Sequence, residues 1–150
     1  MAQDLHDSIR VVRCISPVSL GATGSGGKTG IVIDRDGFES VEFVVNVGSV
    51  TATNAAATLI IQEGDVTGTM TSIADASMIP NSGGELAASL VAGTPRTSGV
   101  LNTGKNFSAR VGYIGAKRYV TAKLVPTISG AITAGVDVIL GNPRKKPTAA

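Results

Sequence analysis

One glycine-rich segment has the residue types of a phosphate-binding loop. Residues 22–29 read Ala-Thr-Gly-Ser-Gly-Gly-Lys-Thr, which satisfies the relaxed pattern of Ala or Gly, four residues and then Gly-Lys-Thr. Such a loop binds phosphate when a helix follows it, because backbone N–H groups and the helix N-terminus then converge on the anion. Residues 30–34 follow here as Gly-Ile-Val-Ile-Asp, which is a strand pattern. The sequence therefore predicts a glycine-rich connection between strands instead of a nucleotide site.

The side chains that most often ligate zinc or act in catalytic triads are isolated in this chain. His6 is the only histidine and Cys14 the only cysteine. His6 lies close to the N-terminus, which argues against His-based triads and His/Cys zinc sites. Cys14 lies in the apolar run from Ile9 to Ile15, so we expect a buried structural thiol.

Two pairs of carboxylates are close enough in sequence to suggest calcium or acid–base chemistry. Asp34 and Asp36 have the spacing of calcium ligands, but Phe38 occupies the next alternate position. We interpret residues 34–37 as a turn with Asp side chains, and residues 63–65 as another turn between strands. We expect no catalytic residue, no cofactor and no bound metal, and therefore not an enzyme.

Composition indicates a single all-β domain. The chain has 150 residues, 43% of them hydrophobic but only 3% aromatic, with no Trp. The core must therefore consist of Val, Ile, Leu and Ala, while nineteen Gly and six Pro indicate frequent turns between short strands. The formal charge of +2 forms no stripe for nucleic acid. The sequence shows neither an apolar run of membrane-spanning length nor the features of a signal peptide, so we expect a soluble protein without a membrane partner.

Alternating apolar residues predict about nine strands. We place them near residues 8–16, 29–34, 38–48, 57–63, 69–74, 86–92, 106–114, 117–126 and 135–141. A short helix over residues 85–92 remains an alternative for the sixth strand. Residues 1–7 and 142–150 are polar and predict flexible terminal arms outside a domain of residues 8–141.

The segment from Ala109 to Pro126 predicts a β-hairpin with a tight turn at Gly115-Ala116. Cations and both tyrosines of the chain flank that turn. Such residues either stack single-stranded bases or contact a protein, and we favour protein contact because Tyr and Arg are enriched in interface hot spots. Together with the basic C-terminal run, the candidate contact residues are Tyr113, Lys117, Arg118, Tyr119, Arg144, Lys145 and Lys146.

Several of these segments together resemble a small virion protein of tailed bacteriophages, of the kind encoded among head genes. The similarity lies in residues 112–120, Gly-Tyr-Ile-Gly-Ala-Lys-Arg-Tyr-Val, in Lys123-Leu124, and in residues 138–144, Val-Ile-Leu-Gly-Asn-Pro-Arg. Residues 36–43 and 59–65 fit the same pattern, so the resemblance covers most of residues 30–144.

The resemblance implies a capsid decoration, or cement, protein. Such a protein has a jelly-roll-like β-sandwich of about eight or nine antiparallel strands and binds the outer surface of the phage head. Its partners would be the major capsid protein and further copies of itself, most simply in a trimer, after synthesis in the host cytoplasm. No nucleic acid is expected. A head–tail neck or completion protein is the alternative, with residues 76–105 as an insertion loop, and a carbohydrate-binding sandwich is a more distant one.

Overall fold

The computed structural model describes residues 5–21, 27–50, 56–73, 78–80, 107–128 and 132–144, and these form an all-β protein. A single 3-10 turn, His6–Ser8, precedes ten strands. The strands are β1 (Ile9–Ser19), β2 (Lys28–Thr29), β3 (Ile33–Asp34), β4 (Phe38–Val50), β5 (Ala56–Val66), β6 (Thr69–Ser72), β7 (Met78–Pro80), β8 (Phe107–Tyr113), β9 (Tyr119–Ile128) and β10 (Ile132–Pro143).

The strands form two antiparallel sheets with the connectivity of a jelly roll. Sheet A has the order β1-β10-β4-β8-β7, and sheet B has the order β2-β9-β5-β6, with β3 also paired to β9. Pairing is nested along the chain: β1 with β10, β2 and β3 with β9, β4 with β8, and β5 with β6. Nested pairing is what results when one long hairpin of strands rolls into two facing sheets. The predicted jelly-roll-like sandwich is confirmed.

Strict alternation on the long strands produces the core between the sheets. In β4 the side chains of Val41, Phe43, Val45 and Val47 are buried, and the residues between them are partly exposed. Successive side chains of a strand point to opposite faces, so this pattern fixes which face of sheet A is covered. Sheet B contributes Leu59, Ile61, Val120, Ala122 and Leu124 to the same cluster. All of these positions lie within predicted strands and recur with the period of two that a half-buried strand requires.

A bulged edge strand closes one side of the sandwich. Strands β2 and β3 both pair with β9, and between them Gly30 donates its N–H to the carbonyl of Ala122 while Ile31 donates to the carbonyl of Cys14 in β1. The hydroxyl of Thr121 donates to the carbonyl of Ile31 at 2.9 Å. Residues 30–31 therefore link the edges of sheets A and B.

Close contact at this edge depends on a glycine. A Cβ on Gly30 would overlap the Sγ of Cys14 and would lie 2.8 Å from the Cys14 carbonyl oxygen. Cys14 is buried and free, as predicted, and burial raises the pKa of its thiol. Lys28, the lysine of the phosphate-loop pattern, is exposed on β2, so a strand occupies the place where a nucleotide site needs a helix.

The predicted hairpin over Ala109–Pro126 is wrong. Strand β8 pairs with β4 and β7, whereas β9 pairs with β5, β2 and β3, so residues 114–118 cross from sheet A to sheet B. Gly115 is not among the described residues with positive φ. Its lack of a side chain instead leaves room for the Tyr113 ring, which a Cβ at this position would overlap.

Other boundaries differ in smaller ways. Residues 63–65 lie inside β5, where the register with β6 shifts, and the turn follows at residues 67–68. Strand β10 continues to Pro143, two residues into the predicted C-terminal arm. Strand β7 at residues 78–80 had no signal in the sequence pattern. The expected strand or helix at residues 85–92, and residues 1–4 and 145–150 of the arms, lie outside the described residues.

Candidate protein-contact surface

Most of the predicted contact residues meet at one end of the sandwich, which we call the loop end. We define it as residues 5–8, 34–37, 63–68, 113–119 and 144. The strand registers place these segments together, because Tyr119 pairs with both Asp34 and Gly64, and Phe38 pairs with Pro143. The polypeptide enters β1 and leaves β10 at this same end.

Tyr113 is a core residue of the loop end and not a surface contact, which corrects the sequence-based assignment. It ends β8 with only 3% of its surface exposed, on the same face as Ala109 and Val111. Its hydroxyl donates a hydrogen bond to a carboxylate oxygen of Glu63 in sheet B and accepts one from the N–H of Lys117 at 3.1 Å. Burial, followed by the bond to Glu63, raises the pKa of Tyr113 well above its usual value.

Arg35 holds the crossing segment against the β3–β4 turn. Its Nε donates to the carbonyl of Lys117 at 2.7 Å, and its backbone N–H donates to the carbonyl of Arg118 at 3.1 Å. The guanidinium also lies over the Tyr113 ring, 5.4 Å from its centroid. A cation over an aromatic face adds electrostatic attraction to these hydrogen bonds. Arg35 therefore positions residues 117 and 118, although the sequence pattern did not single it out.

Arg118 forms a two-pronged ion pair with Asp34 at the loop end. It donates from Nε and Nη2 to the two carboxylate oxygens of Asp34, at 2.9 and 2.6 Å. This fork geometry matches a carboxylate, and the bond lowers the pKa of Asp34. The Asp34 side chain also accepts the N–H of Asp36, and Gly37 takes a φ of 87°, which completes the predicted turn. Arg118 lies 5.2 Å from the centroid of the Tyr119 ring.

Two further cations border this surface. Lys117 pairs with Asp65 at 2.5 Å, and both side chains are well exposed. Arg144 donates its backbone N–H to the carbonyl of Gly37 at 2.9 Å, while its guanidinium lies 3.9 Å from Asp36. The predicted contacts Lys117, Arg118, Tyr119 and Arg144 are thus neighbours. Lys145 and Lys146 lie outside the described residues.

The loop end combines charge pairs with exposed apolar side chains. Leu5, Val66 and Ile114 are three of the five large hydrophobic residues that the described part of the chain exposes, and all three lie here. Exposed apolar groups surrounded by polar ones are typical of protein-interaction sites. Within the described residues, no cluster of three or more His, Cys, Asp or Glu side chains has a metal-binding arrangement.

No protein-family model matches the chain, and neither a curated protein nor a solved structure is significantly similar to it. Among the described residues there is also no helix with the length and apolar character needed to cross a membrane.

The sequence analysis missed three residues that build the loop end. Arg35, Glu63 and Asp65 hold the crossing segment, yet their sequence neighbourhoods indicated only turns. The sequence did contain a signal that Tyr113 is buried, because Ala109, Val111 and Tyr113 alternate along β8 and therefore share one face. Glu63, which accepts the hydrogen bond of Tyr113, lies 50 positions away in the chain, and the local pattern does not identify it.

Proposed function

We propose that this protein is a structural component of a phage virion, which binds the outer surface of the capsid as a homo-oligomer and reinforces its lattice. The observation that carries the proposal is the loop end, where ion pairs, the half-buried Tyr119 and exposed apolar side chains lie together at one end of a jelly roll. The resemblance of residues 112–120 and 138–144 to phage head proteins supplies the biological setting.

The fold suits such a role. Antiparallel sandwiches leave edge strands whose backbone groups are free to pair, and assembly on a lattice is one way of covering them. Among the described strands, β1 ends the order of sheet A and β6 ends that of sheet B, and the only backbone hydrogen bond that residues 9–19 of β1 make outside the sheet with another described residue is the one that Cys14 accepts from Ile31. An oligomer, most simply a trimer, would place several weak contacts on one capsid joint. Linkage of those contacts raises their combined affinity well above that of one contact.

The test is whether purified virions contain the protein and where. Mass spectrometry should detect it in virions freed of host proteins, and antibody labelling should place it over the whole head. Heads that lack it should rupture at a lower temperature, because a ligand that binds only the assembled state stabilises that state. Labelling confined to the tail vertex would favour a neck component instead. Absence of the protein from virions would contradict both proposals.

A further inference from the structure

Most of the sheet edges carry features that hinder pairing with another strand. Among the described strands, sheet A ends at β1 and β7, and sheet B ends at β2 and β6. Charged side chains, proline and β-bulges are the features by which natural proteins keep edges from pairing with other chains. Strand β1 has the exposed Arg10 and Arg13, Pro17 and two register shifts against β10. Strand β2 carries the exposed Lys28, and β7 ends at Pro80.

Strand β6 has neither charge nor proline. Residues 66–73 read Val-Thr-Gly-Thr-Met-Thr-Ser-Ile, a segment rich in residues that favour strands. Three of the four side chains of β6 are exposed, and the fourth, Met70, is half-buried. The register shift of this hairpin lies in β5, where residues 64 and 65 face Met70 alone. Of the four edges, β6 is therefore the one whose own sequence does not oppose pairing.

The hydrogen bonds of β6 show which backbone groups point away from β5. The N–H of Ile73 donates to the carbonyl of Ile61 at 3.1 Å, so Ile73 faces β5. Ser72 and Gln62 are the next pair in register. Residues of an antiparallel strand direct their backbone groups alternately toward one side and the other. Ser72 and Met70 therefore direct their N–H and C=O groups to the outer edge of sheet B.

We propose that β6 is the edge by which two copies of this chain associate, each β6 pairing antiparallel with the other about a two-fold axis. In a two-fold pair the same surface of both copies must fit itself. An uncharged strand meets this condition, because like charges directly opposite each other would destabilise the pair. On β1 the same arrangement would bring Arg10 and Arg13 of one copy against those of the other. Sheet B of one copy then continues into sheet B of its partner.

The inference rests on the proposed function, in which copies of the protein associate, and it specifies their contact. A two-fold contact joins two copies, so we expect a dimer in solution where the resemblance suggests a trimer. The dimer is measured on the purified protein and the proposed function on virions. Failure of one is therefore distinguishable from failure of the other.

Ser19, at the outer edge of β1, is a closely matched control for Ser72. Both serines are exposed. Ser72 precedes Ile73, and Ser19 precedes Leu20, whose N–H likewise donates across the strand pair, to the carbonyl of Ile132 at 2.9 Å. By the same alternation the N–H of Ser19 points away from β10. Proline at either position removes a donor that faces outward, which an edge strand tolerates.

The experiment compares Ser72→Pro with Ser19→Pro in the full chain by sedimentation equilibrium over a range of protein concentrations. We expect Ser72→Pro to raise the dissociation constant of the dimer by about tenfold and Ser19→Pro by less than about twofold, because the two-fold contact contains the donor of Ser72 twice. Melting temperatures at low concentration show whether each variant folds. A wild-type protein that stays monomeric, a wild-type trimer, or equal effects of the two substitutions would overturn the inference.

Lysine at the same positions gives a second measurement that keeps every backbone donor. Ser72→Lys should weaken the dimer by about threefold at low salt and by less at high salt, because two like charges then share one short strand pair. Ser19→Lys should leave the dimer unchanged. In the wild-type protein, deuterium exchange of the Ser72 amide should slow as concentration rises. Equal effects of the two lysines, or a Ser72 amide whose exchange ignores concentration, would contradict the inference, whereas a dimer absent from virions would contradict the proposed function alone.

Discussion

The hydroxyl of Tyr113 in sheet A donates a hydrogen bond to the carboxylate of Glu63 in sheet B, across the loop end of the core. Both residues end the inward face of their strands, and the Lys117 N–H bonds to the same phenol oxygen. The Tyr113 side chain thus joins the two sheets and holds the start of residues 114–118, the segment that crosses from sheet A to sheet B. The position of the exposed residues 114 and 117 depends on this buried contact.

Replacing that phenol should destabilise the fold measurably. Tyr113→Phe keeps the ring but leaves the Glu63 carboxylate and the Lys117 N–H without this partner. A hydrogen bond to a charged group contributes about 1.5 to 3 kcal/mol, so we expect a loss of that order in the free energy of unfolding. Denaturant unfolding measures it. Tyr119→Phe is the control and should change stability by less than about 0.5 kcal/mol. Equal effects of the two substitutions would contradict the assigned role of Tyr113.

Alkaline titration should show the same contact spectroscopically. The pKa of Tyr113 is raised by burial and by its bond to Glu63. Its contribution to stability is therefore complete below the unfolded tyrosine pKa of about 10 and is lost as pH rises through the folded value. In Tyr119→Phe, phenolate absorbance should stay absent at pH values where free tyrosine ionises and should then appear together with unfolding. Smooth ionisation of the folded variant near pH 10 would contradict the buried bond.

The edge that joins the sheets should not tolerate a methyl group. In Gly30→Ala the new Cβ would overlap Cys14 Sγ, and both neighbours are held by backbone hydrogen bonds. We expect a loss of about 1 to 3 kcal/mol, the usual effect of overpacking. Gly48→Ala is the matched control, because nothing lies closer than 3.7 Å to its Cβ position. Equal unfolding midpoints for the two variants would show that the edge at residues 30–31 is not closely packed.

Acid should weaken the β3–β4 turn through Asp34. The bond from Arg118 lowers the pKa of this carboxyl, so its contribution to stability is present above the unfolded value of about 3.9 and is lost as pH falls through the folded value. Asp34→Asn should therefore be less stable than wild type at neutral pH, by no more than about 1 kcal/mol because the pair is exposed. The difference should shrink in acid.

The pKa of Glu42 is shifted in the opposite direction to that of Asp34. Burial raises the pKa of Glu42, and the 3.8 Å pair with Arg110 offsets this only in part. Its favourable contribution is therefore present below the unfolded value of about 4.3 and is lost as pH rises through the folded value. Glu42→Gln should raise stability at neutral pH, with the gain vanishing in acid. Parallel pH profiles for Asp34→Asn and Glu42→Gln would contradict the opposite pKa shifts assigned to Asp34 and Glu42.

The sequence predicted what depends on one strand and failed where two distant strands must be matched. Alternation along residues 41–47 and 120–124 placed both inward faces correctly, because a period of two is a local property. The hairpin prediction failed because Gly115-Ala116 has the composition of a turn, while the partners of β8 and β9 lie in β4 and β5. Only the pairing of those distant strands shows that residues 114–118 change sheets.

For the candidate site too, the sequence predicted what depends on one segment and missed what depends on contacts between distant segments. The cations and Tyr119 were identified from their composition, since Tyr and Arg mark contact surfaces wherever they are exposed. The sequence did not identify the burial of Tyr113 or the roles of Arg35 and Glu63. Each depends on a contact between segments 50 or more positions apart in the chain. A turn such as residues 34–37 can be predicted, but its partner across the loop end cannot.

The most direct measurement is the location of this protein in purified virions by electron microscopy, combined with its copy number. The proposed function predicts many copies distributed regularly over the outside of the head. A single ring of copies at the tail vertex, or virions without the protein, would contradict the role of a capsid decoration protein.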